Sequence, residues 1–130
     1  MSAIDAVALY TGLNLLILLV LGARVSMGRR KHKVSLGEGE GGDLLRLIRI
    51  HANGAEWAPG ALVGLLVLAM MNAPALTIHA LGATLTVGRF AHAYGLSTDP
   101  GPSPARILGS SLTLLVYLLL GAGLVVHAIL

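Results

Sequence analysis

The chain has 130 residues, of which 55% are apolar and 12% charged, with a mean hydropathy of +0.82. That balance excludes a soluble globular protein and points to one integral membrane domain over residues 1–130. The absence of cysteine excludes disulfides, thiolate nucleophiles and thiolate metal sites, and the net charge of +3 comes from basic residues beside apolar runs, a topology signal rather than a nucleic-acid footprint.

A first span is expected from Ala3 to Met27, long enough for a hydrocarbon core of roughly 30 Å. Asp5 and the lack of a basic N-terminal region argue against a cleaved signal, so this run is expected to stay in the mature protein. Asn14, near its middle, is expected to hydrogen-bond to a neighbouring helix. Arg24 stands at the exit, followed by Arg29, Arg30, Lys31, His32 and Lys33, read as a basic cytoplasmic loop that leaves both termini outside. The Gly-rich, acidic segment from Ser35 to Gly42 lacks the Lys-Ser/Thr ending of a phosphate loop and carries no nucleotide-binding signal.

Asp43 is expected to cap a second helix that runs to about Met71 and opens with a polar stretch before an apolar run. At 100° per residue, Arg46, Arg49, Asn53 and Glu56 fall within roughly 80° of one another, and His51 lies off that stripe. A charge at bilayer mid-depth costs about 2.5–3.5 kcal/mol on insertion scales, so such a stripe normally faces a bundle interior or a wet cavity. Pro59, just beyond, removes one helical hydrogen bond and leaves the Ala55 carbonyl as a free acceptor. A salt bridge that only fixes helix packing is the plainer alternative to a binding site.

Asn72-Ala73-Pro74 is short enough to make helices two and three antiparallel neighbours, with helix three from about Pro74 to Tyr94. Counted from Ala73, Glu56 is 17 residues back and Arg89 is 16 forward, so a Glu56–Arg89 ion pair is predicted; Asn53 and His92 match in the same way. His79, near the far side, reads as a hydrogen-bonded packing residue. The five histidines scatter over depths and faces, so no metal site is expected. Gly95 to Pro104 reads as a loop, and Ser103 and Pro104 as the N-cap and first position of helix four, which runs to about Ile129. Its first turns carry Arg106, Gly109, Ser110, Ser111 and Thr113; Tyr117 lies too deep to join them. The expected fold is therefore all-α, an integral membrane four-helix bundle. Its polar mouth offers forked guanidinium donors for carboxylates, a carboxylate for an ammonium and an amide for peptide groups. A zwitterionic peptide with free carboxylates fits that set, and so does an anionic lipid head group.

The pattern Arg49-x-His51-x-Asn53-x-x-Glu56-x-x-Pro59 resembles the signature of the MAPEG family, the membrane-associated proteins in eicosanoid and glutathione metabolism. The segments from Arg30 to Gly39 and from Gly88 to Leu96 resemble its small bacterial branch. The resemblance implies a homotrimer in a bacterial inner membrane, with glutathione bound as co-substrate near the cytoplasmic side, between subunits. It assigns glutathione contacts to Arg49, Asn53 and Glu56, a supporting or lining role to Arg89 and His92, and looser matches to Arg106 and Arg24; Arg46 joins them as part of the same stripe. Where the family's catalytic members carry tyrosines, this chain has Ser110 and Ser111 on helix four and Leu96 on helix three. Stabilisation of a thiolate would then fall to Arg106, Ser110 and the helix-four dipole. The implied activity is a glutathione transferase or peroxidase acting on lipophilic electrophiles or lipid hydroperoxides; the alternative is a non-catalytic lipid-binding or scaffold protein on the same fold.

Overall fold

Four helices make up the computed structural model, which describes all residues 1–130: α1 (Ala3–His32), α2 (Asp43–Met70), α3 (Ala75–Thr98) and α4 (Pro104–Ile129). At about 1.5 Å per residue each exceeds the ~30 Å hydrocarbon core. Helices α1, α2 and α4 are apolar enough as well as long enough to cross a membrane. Helix α3 carries His79, Arg89 and His92, yet Arg89 and His92 are buried in the bundle while Leu76, Val87 and Phe90 face outward. Polar groups turned in and apolar groups turned out suit a membrane helix.

Helices α2 and α3 form the centre: each touches every other helix, and α1 and α4 do not touch each other. The main core cluster joins Ala6, Leu65, Ile78, Leu85, Val116 and Leu120 in the half away from the α2–α1 loop; a smaller one, Leu21, Ile50 and Leu96, lies in the other half. Between α1 and α3 the Asn14 amide donates to Thr86 Oγ1 at 2.9 Å, and Tyr10 Oη meets His79 Nδ1 at 3.0 Å. Both outcomes match the expectation that Asn14 and His79 serve packing.

Several boundaries differ from the sequence reading. Helix α1 continues through the basic run to His32, because Arg and Lys are good helix formers and stand favourably at a helix C-terminus. It ends at Lys33 in the left-handed region (φ 54°), where Lys33 N–H donates to Arg30 O and Val34 N–H to Arg29 O. Asp43 is not the cap of α2: Gly42 holds that place at φ 78°, and Asp43 instead pairs with Arg46 at 3.5 Å. The α2–α3 link turns on Asn72 (φ 62°), with Ala73 N–H donating back to Leu68 O. Helix α3 runs one turn further than expected, to Thr98, while Ser103 caps α4 ahead of Pro104 as predicted.

Candidate functional site

The start of α2, the end of α3 and the start of α4 meet at one end of the bundle, so Arg46, Arg49 and Asn53 of the α2 stripe border the polar ends of its neighbours. A cleft of about 450 Å³ opens there, and Arg46, Arg49, Asn53, His92 and Arg106 line it. Gly41, Gly42 and Asp43 close one side, and Asp43 is the only acid on its wall. An inner pocket of about 250 Å³ shares Asn53, His92 and Arg106 with the cleft and adds Trp57, Arg89, Ser110 and Thr113. Seven of the nine residues expected at the site therefore share two adjoining cavities.

Arg89 organises the inner pocket. Its guanidinium reaches α4 because two glycines let the helices approach: a Cβ on Gly109 would meet the His92 backbone nitrogen and lie 2.6 Å from the Gly88 carbonyl oxygen. Across this contact Arg89 Nε and Nη2 donate to Thr113 Oγ1 at 2.9 and 2.6 Å, Nη2 also donates to Gly109 O at 3.4 Å, and Nη1 donates to Asn53 Oδ1 at 2.7 Å. The Thr113 hydroxyl donates a hydrogen bond to Gly109 O at 2.8 Å. Four of the five guanidinium N–H groups are thus bonded to neutral acceptors, and the fifth, on Nη1, has no partner in the chain.

The predicted Glu56–Arg89 ion pair is not formed. Glu56 lies 3.7 Å from Arg49 on the outer face of α2, with both side chains more than half exposed. Arg89 takes Asn53, one helical turn nearer the basic end, and no carboxylate reaches it: the chain's two ion pairs are Arg46–Asp43 and Arg49–Glu56. Equal residue counts fix depth only when two helices rise alike, and they say nothing about which way a side chain turns. Arg89 is 5% exposed, so its charge is taken from water without a counter-ion, an arrangement that costs free energy unless a bound anion supplies the missing charge.

Arg24 also stands apart. It donates to Ser97 Oγ at 3.2 Å between α1 and α3 and borders neither cavity. Arg106 reaches over the cleft mouth, donating to Gly101 O at 3.4 Å and Pro100 O at 3.5 Å. With Ser110 it also lines a second, outward opening of about 370 Å³ beside Ile107 and Ser111. Near Pro59 the carbonyl that gains a partner is that of Trp57, which accepts from Tyr117 Oη at 2.7 Å, rather than that of Ala55. Tyr117 stays outside both cavities, as its depth implied.

Thr113 is the residue that sequence reasoning undervalued, naming it in the first turns of helix four without giving it a role. Its signal was present: Gly109 and Thr113 lie one turn apart, and a hydroxyl placed beyond a glycine contact can meet whatever the facing helix inserts. Trp57, too, lines the inner pocket without having been singled out.

Comparison with known proteins agrees with this architecture. The family model described as MAPEG family matches residues 7–126. Inner membrane protein YecN of Escherichia coli strain K12 is 36% identical over 88 residues, covering 68% of this chain and 67% of that protein, and the protein of the same name from Escherichia coli O6:H1 strain CFT073 matches equally. No solved structure matches the chain. With its four-helix bundle and a family match over nearly its whole length, the chain belongs to the MAPEG family.

Proposed function

We propose that the protein is a glutathione-dependent transferase or peroxidase of a bacterial inner membrane, acting on lipophilic electrophiles or lipid hydroperoxides. The observation that carries this reading is the buried Arg89 guanidinium, bonded to neutral groups only and with one N–H left over, in a pocket that Arg106 also lines and that adjoins a cleft lined by Arg46 and Arg49. Such a site is electrostatically incomplete until an anion enters. Glutathione supplies one carboxylate for Arg89 and Arg106 at the inner pocket, a second for Arg46 and Arg49 at the cleft, and peptide groups for Asn53; Glu56, which lines neither cavity, is left to meet the ammonium from the outer face of α2.

The thiol would sit by Ser110 and Arg106, which border both the inner pocket and the outward opening. A thiol with a pKa near about 8.5 becomes thiolate at neutral pH only where positive charge or donors favour it. Arg106 and the N-terminus of α4 supply that field. The thiolate, its proton released to water, then attacks an electrophilic carbon of an acceptor arriving from the lipid side; the C–S bond forms as the bond to the leaving group breaks, and that bond's electron pair departs with the leaving group as its anion. A homotrimer is part of this reading, as the resemblance to the family implies; the Arg49–Glu56 pair stands on the outer face of α2, more than half exposed in the single subunit.

Calorimetric titration of glutathione into the detergent-purified protein, beside Arg49→Ala, tests the reading. Binding in the wild type that weakens about 10–100-fold in the variant, as loss of a charge-assisted contact implies, supports it. Ultraviolet absorbance of bound thiolate, lost in Arg106→Ala, would mark an enzyme. Glutathione bound without thiolate would favour the non-catalytic alternative, and no heat from well-folded wild type would overturn the glutathione site.

A further inference from the structure

On the side of α3 that packs on α1, a further cavity of about 420 Å³ runs between α1 and α3. Its walls are apolar, with Leu16, Val20 and Phe90 each more than half exposed, and its floor is formed by small residues of α3, Thr86, Ala93 and Ser97. The groove extends from Leu13 to Arg24 on α1 and from Thr86 to Ser97 on α3. Each stretch rises about 16 Å at 1.5 Å per residue, roughly half the ~30 Å hydrocarbon core and hence the depth of one leaflet. Its two ends differ: the deep end is apolar, and the end toward the basic segment is closed by the Arg24–Ser97 hydrogen bond.

Arg24 and Ser97 also border a polar pocket of about 220 Å³, lined further by Lys31, His32, Arg46 and Asp43. Three permanent cations stand there against one carboxylate, which is already engaged by Arg46 at 3.5 Å. An apolar slot one leaflet deep that leads into a cationic pocket at the membrane surface has the shape and charge of a phospholipid with a negative head group. A zwitterionic lipid would bring an ammonium into the same cationic pocket.

We infer that the α1–α3 groove binds an anionic phospholipid, one acyl chain lying along Leu16, Val20 and Phe90 and the phosphodiester accepting hydrogen bonds from Arg24 and Lys31. Basic pockets at the cytoplasmic ends of membrane helices take such head groups through charge-assisted bonds. The groove shares no residue with the cavities beside Arg89; its head-group pocket meets the cleft only at Arg46 and Asp43, and Arg24 and Lys31, which take the phosphodiester, line neither of those cavities.

Native mass spectrometry of the intact protein in mild detergent, titrated with phosphatidylglycerol and with phosphatidylcholine of the same chains, tests the inference. Phosphatidylglycerol should be retained several-fold more tightly. Arg24→Gln should weaken it about fivefold, equivalent to ~1 kcal/mol for one interfacial cation. Leu16→Trp, on an exposed wall residue away from the core, should fill the slot and reduce retention of phosphatidylglycerol, while the unfilled wild type should keep it in the presence of excess inorganic phosphate. Equal retention of the two lipids, or phosphatidylglycerol retention unchanged in both variants, would overturn the site. Displacement by inorganic phosphate would show a head-group pocket alone and would overturn the groove.

Discussion

Two arginines of this bundle stand near one another and solve opposite problems. Arg49 is exposed and has a carboxylate, Glu56, at 3.7 Å; Arg89 is buried and has none. Stability alone would arrange them the other way, since an exposed ion pair contributes at most about 1 kcal/mol and an unpaired buried charge is costly. Keeping the carboxylate away from the buried guanidinium leaves Arg89 able to attract an anion from outside. Its neutral partners, Asn53 and Thr113, hold the group in place without cancelling its charge.

The close approach of α3 and α4 underlies this arrangement, and breaking it should have the largest effect. Gly109→Val places side-chain carbons against the backbone of His92 and Gly88, and should destabilise the bundle by about 3 kcal/mol, read as a lowered thermal midpoint in detergent. Thr113→Val keeps the volume and removes the acceptor of two Arg89 N–H groups, so a loss of about 2 kcal/mol is expected in the same assay. Asn53→Asp sharpens the comparison by inserting the missing counter-ion where Oδ1 now lies 2.7 Å from Nη1. It should raise the midpoint, by the equivalent of about 1 kcal/mol, while weakening any anionic ligand. Glu56→Gln should change stability by less than ~1 kcal/mol, because the pair it removes is solvent-exposed.

Helix number, the start of α4 at Ser103, the roles of Asn14 and His79 and the polar stripe of α2 were all legible in the sequence, because each rests on local chemistry or on helical periodicity. What escaped depends on how helices rotate against each other. Depth counting brought α2 and α3 into near register but chose Glu56 over Asn53, a difference of three residues, or about 4.5 Å along the axis. The cradle at Thr113 exists only because Gly88 and Gly109 meet, a contact between helices that no single helix pattern encodes. Arg24 faces Ser97 rather than the cleft for the same kind of reason: α1 packs on α2 and α3 and never reaches α4. The basic run after Arg24 was read as a loop and is helical, since those residues prolong α1.

The most direct test of the account is Arg89→Met, with stability and glutathione binding measured on the same purified sample. Methionine keeps much of the side-chain length and removes the charge. If the guanidinium is held for an anionic ligand, the variant should stay within about 1 kcal/mol of wild-type stability, as replacement of a buried charge by an apolar group of similar size often does, and should lose glutathione binding. A variant that is strongly destabilised while its folded fraction binds glutathione as the wild type does would contradict the account and leave Arg89 a structural strut.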